Sequence, residues 1–185
     1  MTSTSEPGAH YAVSAIGRDR PGIVAAISEA LLALNGNIED SRMAILRGHF
    51  AVMLIVSLPA GVGRQELEGR LAPLREQLGL EAVSVGEVEP LAAATPAATH
   101  VLSVYGADHP GIVHTVTSTL AERGANVVDL QTRLTGEGEK ALYVMVLELT
   151  LAGETDAAAL EAALAAVAEG AQIEVSLRPL ETEAL

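Results

Sequence analysis

One eight-residue phrase occurs twice in this chain. Gly17–Val24 reads GRDRPGIV, and Gly106–Val113 reads GADHPGIV, an offset of 89 residues (106 − 17) with six of eight positions identical. Applied to the flanks, that offset pairs Tyr11–Met43 with His100–Thr132 and adds identities such as Ser14/Ser103, Leu31/Leu120, Asn37/Asn126 and Asp40/Asp129. The period is too long for a solenoid, whose units run to roughly 50 residues, and suits a duplicated small domain. A chain of 185 residues has room for two. Between the copies, EPLAAATPAAT (Glu89–Thr99) is rich in Ala and Pro and uncharged after its first residue, the composition of a linker. The expected plan is a first domain over residues 10–90, a linker over 91–99 and a second domain over 100–181.

Both copies have the same order of patterns. A short strand-like run comes first, YAVSAIG (Tyr11–Gly17) or HVLSVYG (His100–Gly106). A turn follows, with Pro21 or Pro110 expected at the first helical position, where a missing N–H is harmless. The next segment places Ile23, Val24, Ile27, Leu31 and Leu34 on one helical face, and Ile112, Val113, Val116 and Leu120 in the second copy. NGN (Asn35–Asn37) and GAN (Gly124–Asn126) supply left-handed stops. Two apolar runs then flank a turn: Ile38–Leu46 and Phe50–Leu58 around Arg47–His49, and Val127–Leu134 and Ala141–Leu151 around Thr135–Lys140. A second helix is expected over Arg64–Leu78, interrupted by Pro73, and over Thr155–Ala168. Closing strands are expected at Glu81–Val88 and Gln172–Pro179. The fold class is therefore α+β: β-α-β-β-α-β twice, two ferredoxin-like domains with helices on one face of each four-stranded antiparallel sheet.

Composition narrows function. The formal charge is −13, from 24 acidic against 11 basic residues, and the chain has one Phe, three Tyr and no Trp. Phosphate backbones and anionic lipid are repelled, and base-stacking platforms are nearly absent, so no direct nucleic-acid or membrane contact is expected. With no Cys there is neither a disulfide nor a Cys-type zinc site. The opening MTSTSEPGAH lacks the basic start and apolar core of a secretory signal, and the longest near-apolar stretch, Phe50–Leu58, is half a membrane span. A cytoplasmic location is expected.

GRDRPGIV…LNGNIED and GADHPGIV…RGANVVD resemble the ACT domain, a βαββαβ module that binds amino acids and regulates enzymes or transcription. Two such units without a catalytic domain look most like the glycine cleavage system transcriptional repressor family. The resemblance covers nearly the whole chain apart from the first nine residues, the linker and the last few residues. It departs at one point: His109 stands where the first copy has Arg20, so the two sites need not be equivalent. The resemblance implies a ligand held between two domains, by the turn of one and the second-strand entry of the other. One pocket would join Arg18–Gly22 to Asn126 and Val127, and its mate Ala107–Gly111 to Asn37 and Ile38.

The turn itself suits an anionic guest such as an amino-acid carboxylate, because backbone N–H groups and the dipole at a helix start favour negative charge. Gly22 and Gly111 let backbone or ligand come close, or serve helix–sheet packing. Asp19 and Asp108 either cap the helix or hold a ligand ammonium. Asn37 and Asn126 carry amides able to donate to a carboxylate and accept from an ammonium, and as turn residues they also tolerate positive φ. Arg20 and His109 are exposed-loop candidates for ligand or partner contact.

No nucleophile–base pair, metal cluster, P-loop or dinucleotide fingerprint is evident, so neither enzyme activity nor a cofactor or metal is expected. GEG at Gly136–Gly138 falls in a hairpin turn, and His109 and His114 lack the spacing of a helical metal pair. The leading expectation is a regulator that senses a small amino acid, forms homo-oligomers and acts through a partner protein, either a DNA-binding regulator or a metabolic enzyme. Two alternatives stand beside it: a regulatory subunit resembling the small subunit of acetolactate synthase, and an assembly module without a ligand.

Overall fold

The computed structural model describes residues 8–89, 97–136, 141–151, 153 and 156–180. Residues 91–96 of the expected linker, residues 137–140 of the expected second hairpin turn and Thr155, the expected start of the last helix, lie outside them. The chain divides into two compact units, Met1–Ala94 and Thr95–Leu185. The first contains β1 (Ala9–Arg18), α1 (Ile23–Leu32), β2 (Asn37–Leu46), β3 (His49–Leu58), α2 (Arg64–Gln77) and β4 (Leu80–Val88). The second contains β5 (His100–Ala107), α3 (Ile112–Glu122), β6 (Ala125–Thr135), β7 (Leu142–Leu151), α4 (Ala157–Ala171) and β8 (Ile173–Pro179). Each sheet is antiparallel and four-stranded, in the orders β2-β3-β1-β4 and β6-β7-β5-β8. This is the ferredoxin-like order read from the sequence, twice.

The strand period of two sorts the side chains. Tyr11, Val13 and Ala15 of β1, with Phe50, Val52, Leu54, Val56 and Leu58 of β3, are buried on one face of the first sheet. Ile23, Ile27 and Leu31 of α1 and Leu67 and Leu71 of α2 close over them in one cluster. The second unit repeats the scheme with Leu102, Val104, Leu147 and Leu149 under Val116, Leu120, Leu160 and Leu164. Among the described residues neither unit packs a helix of its own on the opposite face of its sheet, and Met53 stays 54% exposed there.

The second strand of each unit lies at the sheet edge. In β2 every residue is exposed, including Met43 and Ile45, whose alternation marks them as core-facing. The apolar face of α1 is narrower than expected, with Val24 49% exposed, and its counterpart Val113 is 38% exposed in α3. Each edge strand carries one irregularity near its start, between Ile38 and Asp40 in β2 and between Val127 and Asp129 in β6.

Local chemistry sets the element ends. The α1 stop is a Schellman motif: Asn35 sits at φ 52, Gly36 N–H donates to Leu31 O at 2.9 Å, and Asn35 N–H donates to Leu32 O at 2.9 Å. Gly124 takes the left-handed position in the second unit. The first hairpin turns in two residues, not three. Arg47 (φ 50) and Gly48 (φ 80) form it, and both positive angles match the twist of the flanking strands. His49 already belongs to β3, opposite Leu46 and Arg18.

Pro73 does not interrupt α2, which runs unbroken from Arg64 to Gln77. The carbonyl that its ring crowds belongs to Gly69, a residue whose backbone yields readily. α4 starts behind Asp156, whose carboxylate accepts from Ala158 N–H (3.0 Å) and Ala159 N–H (3.2 Å).

Candidate functional site

The turn between β1 and α1 is built around a left-handed glycine. Gly22 lies at φ 97, ψ −8 and Gly111 at φ 100, ψ −13, each at the N-cap of its helix. Pro21 and Pro110 therefore precede the cap and do not open the helix. A Cβ at either glycine would meet no atom within 4 Å. Within each unit neither close approach nor helix–sheet packing explains the residue; the backbone angle does. A glycine cap has no side chain to offer, and neither helix receives a side-chain cap bond. Asp19 and Asp108 are thus not caps, because each stands three residues before the cap position. The first intrahelical bonds run from Ala26 N–H to Gly22 O and from Thr115 N–H to Gly111 O, both at 2.9 Å. The N–H groups of Ile23, Val24 and Ala25, and of Ile112, Val113 and His114, consequently lack intrahelical partners. No acidic residue stands in the first turn of either helix.

The first turn is steadied by the hairpin beside it, where Asp19 N–H donates to Gly48 O at 2.9 Å. Arg18 and Arg20 are exposed. The second turn differs. Ala107 replaces Arg18, and the His109 ring is engaged within its own unit, Nε2 lying 2.9 Å from Ala171 O and Nδ1 3.1 Å from Pro110 O. His109 ties the turn to the end of α4, whereas Arg20 is free to reach outward.

Asn37 and Ile38 open β2 and line a cleft of about 490 Å³ between α1 and that strand, with Ala25, Ser28, Glu29 and Leu32. Ser28 and Glu29 were not expected; the signal available was their place one helical turn from the apolar positions, toward the strand entry. In the second unit, Asn126 is exposed opposite Thr150 in β7, and Val127 packs on the core. Turn and strand entry do not meet inside one unit. They lie at opposite ends of α1, whose 10 residues span about 15 Å.

A second polar cluster has no counterpart in the motif. His10 Nε2 lies 3.3 Å from Glu39 Oε1, while the buried His10 Nδ1 has no hydrogen-bond partner. Nearby on that open sheet face, Ser14 and Ser84 hydroxyls pair at 2.7 Å. Among the described residues no group of three or more His, Asp or Glu could hold a metal ion, and no helix is long and apolar enough to cross a membrane.

Comparison with known proteins agrees with this construction. The ACT-domain family matches residues 10–85 and again residues 100–169. A UPF0237 protein of Methanopyrus kandleri is 43% identical over 72 residues, which cover 38% of this chain and 80% of that protein. The glycine cleavage system transcriptional repressor of Escherichia coli is 43% identical over 58 residues, 31% of this chain but only 29% of the repressor. Among solved structures, a Galdieria sulphuraria protein of unknown role superposes with a TM-score of 0.76 at 31% identity, covering 95% of this chain and 99% of that one. With both turns, both sheets and both matches in the same places, the chain belongs to the ACT-domain family and carries two of its domains in tandem.

Proposed function

We propose that this chain is a non-catalytic regulator that binds a small amino acid and, in response, changes its hold on a partner protein. The observation that carries the reading is the 15 Å scale of α1 between two sets of groups that suit the same ligand. The helix start offers uncapped N–H groups to a carboxylate, and Asp19 or Asp108 is free of capping duty and available to an ammonium. The strand entry offers the amide of Asn37 or Asn126. A free amino acid is too short to touch both ends of one helix. A ligand that used both sets would need them from different copies of the module, so its binding would favour one association of copies over another. That linkage is what a sensor requires: the ligand favours one arrangement of units, with a coupling of about 1–3 kcal/mol typical of such devices.

The family match and one relative, the repressor matched over 58 residues, support the regulatory reading. The test is a dye-reported thermal shift against the twenty amino acids. The expected result is one small amino acid that stabilises the protein by about 2.7 kcal/mol at a hundredfold excess over its dissociation constant, with the shift lost in Asn37→Ala or Asn126→Ala. If none of the twenty moves the transition, the sensor reading fails and the assembly-module alternative takes its place.

A further inference from the structure

Three of the chain's eleven Lys and Arg residues gather at one end of the first unit. Arg18 ends β1 directly opposite His49, the first residue of β3, and Arg47 lies in the two-residue turn just before it. The bond from Asp19 N–H to Gly48 O holds the β1–α1 turn, and with it Arg20, against that hairpin. All three arginine side chains are exposed, and none has a hydrogen bond or ion pair among the described residues. The carboxylate within these turns is that of Asp19. In a chain of formal charge −13, this is a local reversal of sign. The second unit does not repeat it: Ala107 stands for Arg18, Gly136 for Arg47, and His109 is held by Ala171 and Pro110 carbonyls.

We propose that this end of the N-terminal unit is an interaction surface for an acidic segment of a partner protein. The surface consists of exposed turns, whereas clefts of about 360–490 Å³ lie elsewhere in the unit, between α1 and β2, between α2 and β4, and on the open sheet face. It therefore suits an extended chain laid across it rather than an enclosed small molecule. Arginine forks match carboxylates in two-point fashion, and a Glu- or Asp-rich stretch presents several within reach of Arg18, Arg20 and Arg47. A nucleic acid is disfavoured as the occupant: its phosphate array runs on past the three arginines to the acidic remainder of the chain, and aromatic stacking partners are scarce. Beyond a Debye length of about 8 Å at physiological salt, an acidic peptide meets the local cations and not the distant carboxylates. This surface shares Arg18 and Arg20 with the pocket expected from the sequence, and peptide binding measured without amino acids separates the two readings.

The test uses the full chain without amino acids and follows the fluorescence anisotropy of a labelled oligo-glutamate peptide, with a labelled oligonucleotide in parallel. Arg18→Gln combined with Arg47→Asn removes two charges, and Asn tolerates the left-handed angle at position 47; Arg47→Asn alone is the fallback if the pair lowers the melting temperature. The expected result is peptide binding that weakens with salt and falls about tenfold in the double variant, while Arg70→Gln on α2 changes it by less than about twofold. Absence of peptide binding at low salt, an equal loss in Arg70→Gln, or tighter binding of the oligonucleotide through the same arginines would each overturn the proposal.

Discussion

Gly17 and Gly22 lie five residues apart in one motif and answer to different constraints. A Cβ at Gly17 would sit 2.9 Å from Leu80 Cα, so β1 and β4 approach there too closely for a side chain. At Gly22 the space is open and the angle is the constraint. Gly22→Ala is expected to lower stability by about 1–2 kcal/mol in urea unfolding, with Gly22→Asn recovering part of the loss because Asn enters the left-handed region more readily. At Gly17 the order should invert: Gly17→Ala costs about 1–3 kcal/mol from overpacking, and Gly17→Asn costs more. If Asn rescues both sites or neither, that distinction is wrong. The sequence marks both positions with the same letter, so a repeat alone cannot separate them. Capping misleads in the same way. Asp is a favoured cap, but a glycine in the left-handed conformation moves the helix start past Asp19, and no spacing rule shows that in advance.

Strands and helices were more legible than their individual residues. Apolar runs, turn residues and, for the first helix of each unit, the 3.6-residue period place the twelve elements of the described residues, because burying one face of a sheet under two helices leaves a signal in the segments that take part. The signal fails where burial fails. Met43 and Ile45 are spaced like core residues yet stay exposed in an edge strand, and being at an edge is a property of strand order, not of local pattern. The candidate site is split for a related reason: its turn and its strand entry are close in sequence, and a whole helix separates them in space. Pro73 is the element-scale exception, a helix breaker inside an unbroken helix. It leaves Gly69 O without its usual donor, so Pro73→Ala is expected to stabilise the protein by about 1–3 kcal/mol, read as a higher melting temperature. An unchanged or lower melting temperature would mean that the ring contributes packing that outweighs the lost bond.

For the whole molecule, net charge and internal duplication are the governing facts. The formal charge of −13 leads to a simple expectation: the purified chain alone does not retard DNA specifically at moderate salt, and any influence on transcription requires a DNA-binding partner. Specific retardation by the chain alone would refute this. The duplication has kept the sheets alike and let the turns diverge, with Arg18, Arg20 and Arg47 on one copy and Ala107, His109 and Gly136 on the other. The register of β2 slips between Ile38 and Asp40, and that of β6 slips between Val127 and Asp129, the same step 89 residues later (127 − 38). An extra residue in a strand would turn every side chain beyond it to the opposite face, and the bulge absorbs that shift: Ile38 and Ser41, on either side of it, stand opposite the buried Val56 and Leu54. Both edge strands thus keep step with their neighbours by the same device at the same place in the motif.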